Sequence, residues 1–264
     1  MDTSLPDSAD PVLTVTRVAE HLWHALEDDQ VVGRAHTTRR SDGRLFVSID
    51  TWHEAVFHHL AGAVLKELPR PLFTVLDEAD ADLTAAWLMA GFSIARRELG
   101  YVVPTDPRVT GLGGVRVPAD VTIIPAGAAD EGALRALYRA LRAEIDATVG
   151  WRTMPAEVLP RPEGPTAADL PQFVVAAQGS EYVGLLRLAT ATRQPRIGLL
   201  AVRAAHQRRG IGRALLAHSL DVLHRGGVWS AWAEVNEGNA AASALFERAG
   251  AHATTRNLEL AAHR

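Results

Sequence analysis

Gln207-Arg208-Arg209-Gly210-Ile211-Gly212 is the stretch of this chain with the clearest chemical content. Glycines let a backbone approach a ligand with no Cβ in the way, and the free N–H groups of a helix's first turn attract an anion. The flanking sequence predicts both conditions. Ile197 to Val202 is a short apolar run with β-branched ends and reads as a strand, whereas Ala214, Leu215, Leu216, Leu220 and Leu223 recur at helical spacing. The six residues therefore stand where a strand turns into a helix, with Arg203, Arg208, Arg209 and Arg213 supplying positive charge. This predicts a pyrophosphate cradle; the alternative is a glycine-containing surface turn with solvated arginines. A nucleotide P-loop is excluded by the missing Gly-Lys-Ser/Thr ending. Leu215 stands where a dinucleotide fingerprint needs its third glycine.

The stretch resembles the acyl-CoA-binding motif of the GNAT superfamily of N-acetyltransferases. Its pattern, Gln/Arg-x-x-Gly-x-Gly/Ala, is matched by Gln207, Gly210 and Gly212 after a strand ending Leu200-Ala201-Val202. A second block, Val235 to Ala251, resembles the family's next strand end and helix: Asn239, Ala242, Leu245 and Gly250 fit in order and spacing. The resemblance implies acetyl-CoA as co-substrate, held by Leu200, Ala201, Val202 and by Gln207, Arg208, Arg209, Gly210, Ile211, Gly212 and Arg213. It further implies that Asn239 helps hold the pantetheine arm, and that the two strands splay to admit it. Phe246 departs from the pattern, because the family often has a tyrosine there as the acid that protonates the leaving thiolate.

Amine acetylation by a thioester needs a neutral amine, stabilisation of an oxyanion and a proton for the thiolate. A backbone N–H near Val202 is the oxyanion donor that the resemblance implies. Glu234, which interrupts Ala231-Trp232-Ala233-Glu234-Val235, is the candidate base, with a solvent-facing strand charge as the alternative. Tyr182 is the candidate acid replacing the missing tyrosine, or a packing residue with a wet tip. Glu144, Asp146 and Trp151 lie where the family's layout puts the acceptor groove. Two acids and an aromatic ring suit a cationic amine, although solvated helix charges read the same way. His53, His58 and His59 lack a His-Glu-x-x-His pattern, so no metal is expected.

With 264 residues, 47% of them hydrophobic and 22% charged, the chain is long enough for two globular domains. A net charge of -4 gives no reason to expect nucleic acid as a partner. The absence of cysteine removes disulfides and thiolate chemistry. The acidic Met1 to Asp7 does not read as a secretory signal and no apolar run reaches membrane-spanning length, so the expected compartment is the cytoplasm, with no membrane partner.

Residues 1–10 read as a loose leader. Strands at Gln30 to Thr37 and Arg44 to Ile49, joined at Ser41-Asp42-Gly43, precede a helix at Ala55 to Leu68, a strand at Leu72 to Leu76 and a helix at Ala81 to Ala90. Asp106 to Asp120, rich in proline and glycine, reads as an interdomain linker. A strand at Val121 to Ile124 and a helix from Asp130 to Ala147 follow, then a proline-rich loop from Trp151 to Pro171 holding at most one short helical turn. Strands at Gln172 to Ala177, Tyr182 to Ala189 and Thr254 to Leu260 complete the pattern. Phe46 to Leu65 stands where Leu199 to Leu216 stands in the second half, which suggests a duplication whose first copy has lost the glycines.

The expected fold is α/β (α+β), with two GNAT-like domains, each a mixed, mostly antiparallel twisted sheet flanked by helices. The first, degenerate, is expected over 11–105, and the second, binding acetyl-CoA, over 121–264. The expected activity is transfer of an acetyl group from acetyl-CoA to a primary amine of a small molecule. The alternatives are a protein N-terminus or lysine as acceptor, or a CoA-binding sensor without turnover. A homodimer is left open.

Overall fold

The computed structural model describes residues 13–40, 43–148, 150, 164–190 and 194–263. The leader, the Ser41-Asp42 turn and the 151–163 part of the proline-rich loop lie outside them. Two compact units emerge, one from the described residues of Met1–Ala95 and Leu258–Arg264, the other from Arg96–Asn257.

In the first unit, β1 (Thr14–Ala19), β2 (Leu22–Glu27), β3 (Gln30–Arg39) and β4 (Leu45–Thr51) form an antiparallel meander. Helix α1 (Glu54–Glu67) then leads to β5 (Leu72–Asp77), which runs parallel to β4, and to α2 (Ala81–Met89). Val56, Phe57, Leu60, Ala61 and Val64 recur at helical spacing on α1 and are buried in a cluster with Trp23, Ile49 and Trp87. Asp80 caps α2, its carboxylate accepting the Leu83 N–H at 3.0 Å.

The second unit contains most of β6 (Ser93–Pro104), then α3 (Pro107–Thr110), β7 (Val121–Ile124), α4 (Glu131–Asp146), β8 (Phe173–Gln178), β9 (Glu181–Ala189) and β10 (Arg196–Val202). Helix α5 (Ile211–Arg225), β11 (Ser230–Asn236), α6 (Ala240–Arg248) and the start of β12 (His252–Ala262) complete it. Its strands lie in the order β6-β11-β10-β9-β8-β7, antiparallel except for the β10–β11 pair. Strand alternation sends Ile197, Ala231, Ala233 and Val235 to one face, into a core with Ile211, Leu215, Leu220 and Phe246 of α5 and α6. On the other face Leu134, Leu137, Tyr138 and Leu141 of α4 pack on Phe173, Val175, Leu185 and Leu199. The expected class, mostly antiparallel sheets flanked by helices, is therefore what the chain forms.

The strand–helix–strand–helix order β4-α1-β5-α2 recurs as β10-α5-β11-α6. In both, the parallel strands share only two residue rows: Leu45 and Phe46 with Leu72 and Phe73, and Arg196 and Ile197 with Trp232 and Ala233.

The division of the chain differs from the expected one at two places. Asp106 to Asp120 lies inside the second unit. The Asp106 carboxylate accepts the Arg108 N–H at 2.8 Å, Pro107 opens α3 and Gly111 closes it in the left-handed region with φ 61°. Leu112 is then buried in the α5–α6 core, with Val115 packed against it. Proline and glycine here build a capped turn. The chain from Leu258 onward belongs to the first unit, where Leu258, Leu260 and Ala262 join the α1 core.

One close contact fixes the polar side of β11. Gly100 pairs with Glu234 across β6 and β11, and a Cβ at Gly100 would fall 2.4 Å from Trp232 Cζ2 and 2.2 Å from Thr255 Oγ1. Gly100→Ala is therefore expected to destabilise the protein by about 1–3 kcal/mol through overpacking. Urea unfolding checks this, and an unchanged midpoint would show that the Trp232 ring moves aside without cost.

Candidate functional site

The β10–β11 pair stops after Ile197 and Ala233, although β10 continues along β9 to the row of Val202 and Gly184, and β11 along β6 to Asn236 and Glu98. The strands separate while each keeps its outer partner, which opens a gap lined by backbone. The Arg203 N–H donates to the Val183 carbonyl at 2.9 Å. By the alternation of an antiparallel ladder, the N–H groups of Leu200 and Val202 point away from β9, into the gap. The Gln207 side-chain amide donates to the Val202 carbonyl at 3.0 Å, occupying the acceptor there.

The loop after the gap is built for a close approach. A 3₁₀ turn, Ala204–His206, leads to Arg208 at φ 62° and Gly210 at φ 86°, where α5 begins. A positive φ costs glycine little, and Gly210 brings no side chain to cap the helix. The Ala214 N–H is bonded to the Gly210 carbonyl at 2.9 Å, so the N–H groups of Ile211, Gly212 and Arg213 lack an intrahelical acceptor. Buried Ile211 anchors the turn. From Gly212, the nearest atom to an added Cβ is Val202 Cγ2 at 3.8 Å, so the bare face of this glycine opens beside the end of β10.

Leu200, Ala201, Val202, Gln207, Arg208, Gly210, Ile211, Gly212 and Arg213 are thus brought together at one strand end. Arg209 is turned away: its guanidinium meets the Asp120 carboxylate at 2.5 Å and Gln178 Oε1 at 3.4 Å. That hydrogen bond is the main reason the Asp120 carboxyl is held below the usual carboxylate range. Asn239 caps α6, with Oδ1 accepting the Ala242 N–H at 3.1 Å, which leaves its amide N–H₂ as the group able to face a ligand.

Phe246 is buried and stacked on Tyr101, with ring centroids 6.0 Å apart and planes at 26°. The Tyr101 hydroxyl donates to Glu247 Oε1 at 3.1 Å, and burial pushes it above the ordinary phenol range. The Tyr182 hydroxyl accepts the Asp130 N–H at 3.0 Å, at the N-terminus of α4. Tyr182 is thereby tied to the α4 side of the sheet, whereas Phe246 packs on the other.

Glu234 lies one row beyond the last paired row, on the face opposite Ala233 and Val235. Its carboxylate forms an ion pair with Arg196 and accepts the Trp232 Nε1–H at 3.3 Å, and its side chain is 14% exposed. It is therefore no freely solvated strand charge. Glu144 does not stand free in an acceptor groove. It accepts Arg203 Nε–H at 2.6 Å and the Ala204 N–H at 2.8 Å, clamping the end of α4 to the turn before the cradle. Asp146 is half-exposed and 3.9 Å from Arg142. Trp151 lies outside the described residues. Arg196, Trp232 and Tyr101 were not expected at the site; the alternation around Glu234 marks Trp232 as sharing its face, but nothing local marks the other two.

Burial works against the Glu144 charge, yet the bonds from Arg203 and Ala204 outweigh it and hold the carboxyl below its usual range. A lowered folded-state value means that the stabilisation is present above the unfolded value and lost as the pH falls through the folded one. Glu144→Gln should therefore cost roughly 1 kcal/mol at neutral pH, with the difference from wild type shrinking in acid. Urea titrations at both pH values measure it; a pH-independent difference would rule out the charged clamp.

Residues 137–251 match the family model described as the acetyltransferase (GNAT) family. A ribosomal protein bS18-alanine N-acetyltransferase of Escherichia coli is 48% identical over 56 residues, which are 21% of this chain and 38% of that relative. The match thus spans about two fifths of the relative's own length. Among solved structures, a GCN5-related N-acetyltransferase from Sphaerobacter thermophilus has a TM-score of 0.65 at 17% identity, covering 94% of this chain and 82% of that one. A tandem GNAT protein from the clavulanic acid biosynthesis pathway has a TM-score of 0.63 at 16% identity, covering 92% and 82%. At such identity these structures speak for the fold alone. The separated strands, the glycine turn and the capped helix α6 all fall inside the residues that match the GNAT acetyltransferase family model.

Proposed function

We propose that the second unit transfers an acetyl group from acetyl-CoA to a primary amine of a small molecule by direct attack. One observation carries this reading: the strand gap, with the Leu200 and Val202 N–H groups facing it, opens beside a helix N-terminus whose Gly212 presents no Cβ. The first-turn N–H groups suit a pyrophosphate, with Arg208 and Arg213 adding charge, and a gap between strands suits an extended pantetheine arm. The Asn239 amide stands ready to donate to that arm.

In the reaction, the amine nitrogen bonds the acyl carbon and loses one proton, the C–S bond breaks, and the leaving sulfur takes up one proton, so that none is gained or lost overall. The Val202 N–H serves as donor to the oxygen on which charge develops, and Glu234 as the carboxylate that receives the amine's proton. Tyr182 sits on the same side of the sheet as Glu234 and is a candidate acid. Otherwise the proton passes through water.

A second reading is favoured by the ribosomal protein bS18-alanine N-acetyltransferase, whose similarity is concentrated in 56 residues. In that reading the acceptor is the α-amine of a protein. Incubation with acetyl-CoA and a panel of small amines and peptides separates the two, with thiol release as the first readout and mass spectrometry of the products as the second. Release only with peptides would replace the small-molecule reading; release with neither would leave a binding module.

A further inference from the structure

The first unit carries a cleft that this chemistry does not use. Its volume is about 310 Å³, and it lies between α1 and the end of α2, with His58, Gly62, Leu65, Lys66, Arg70 and Met89 among its lining residues. His58, Gly62, Leu65 and Lys66 follow three- and four-residue spacings, so they share one side of α1. Leu65 and the 64% exposed Met89 form an apolar wall, and His58, Lys66 and Arg70 a basic rim.

Two observations show that, among the described residues, the Lys66 ammonium and Arg70 Nη1 are not engaged. Lys66 has no ion pair or hydrogen bond among the described residues, and Arg70 Nη1 is buried with no hydrogen-bond partner. Glu67, the nearest acid in the sequence, is turned toward Trp23 and Arg17. Glu54 lies 3.6 Å from His58. Positive charge at the ends of α1 and α2 would also complement their carbonyls. An arginine engaged that way would have those oxygens as acceptors, and Arg70 Nη1 has none among the described residues. Gly62 adds a steric argument. It lies mid-helix, where only proline is less favourable, and an added Cβ would meet nothing within 4 Å. The missing side chain leaves the cleft open.

We propose that this cleft binds a small anion with a short hydrocarbon tail, its carboxylate or phosphate head held by Lys66 and Arg70 and its tail lying on Leu65 and Met89. The full chain is titrated calorimetrically with hexyl phosphate, hexanoate, inorganic phosphate and hexylammonium. Saturable binding is expected for hexyl phosphate or hexanoate, the stronger of the two identifying the head. Inorganic phosphate should bind more weakly and hexylammonium not at all. Gly62→Leu fills the cleft with a better helix former, so the fold should stand, and it should weaken the anion by at least about tenfold, as should Lys66→Gln and Arg70→Gln. Acetyl-CoA affinity, measured on the same samples, should stay unchanged, which keeps this test independent of the second unit. The proposal fails if neither amphiphile saturates, if hexylammonium competes, if inorganic phosphate binds as tightly as hexyl phosphate, or if Gly62→Leu binds like wild type.

Discussion

Gly212→Val is expected to weaken acetyl-CoA binding by about a hundredfold, some 2.7 kcal/mol, while leaving the melting temperature essentially unchanged. The two halves of this expectation come from one geometry. Within the protein, the new Cβ would lie 3.8 Å from its nearest neighbour, Val202 Cγ2, an ordinary contact. Valine also carries no penalty against glycine inside a helix. The added methyls must instead occupy the space beside the first-turn N–H groups, where a pyrophosphate oxygen has to come close. Gly210→Ala makes the contrast. At φ 86° an L-residue costs roughly 1–2 kcal/mol, so stability should fall together with affinity. Calorimetric titration of acetyl-CoA into wild type and both variants, with melting curves alongside, reads the difference. Equal affinity of wild type and Gly212→Val would remove the cradle from the argument.

The parts of the molecule legible in the sequence are those whose information is local. Val121–Ile124 has the strand bounds that its apolar run between turn residues predicts, and α5 begins after Gly210, where the glycines and the helical spacing meet. Asp106 to Asp120 reads as a linker because linkers and tightly capped turns share a composition, and the burial of Leu112 separates them. The charged groups were the least legible. Arg209 is claimed by Asp120, 89 residues away in the chain, and Arg203 by Glu144, 59 away. Such pairs depend on how strands align, and alignment is set by the whole sheet. Tyr101 shows the same limit: it meets Phe246 because β6 lies beside β11, a pairing between segments more than a hundred residues apart.

Glu234→Gln should lower kcat/KM for a responsive amine by about a hundredfold or more, the usual contribution of a placed general base. Acetyl-CoA affinity and fold should be retained. The Trp232 Nε1–H and Arg196 meet different oxygens of this carboxylate, and glutamine keeps only one. The variant therefore gives up one of these two contacts along with the ability to take a proton; a melting curve alongside the rates measures the first loss. The pH–rate profile separates this effect from that of the substrate. Because the attacking amine must be neutral, the rate should fall toward low pH in wild type and variant alike, with Glu234→Gln lying below wild type throughout the neutral range. Phe246→Tyr supplies the control for the other proton. Position 246 is buried against Tyr101, so a hydroxyl there should change the rate by less than about tenfold, well under what a positioned acid contributes. A large gain in Phe246→Tyr would instead show that thiolate protonation limits the wild-type rate. Turnover unchanged in Glu234→Gln would leave this carboxylate as the structural partner of Arg196 and would require another base.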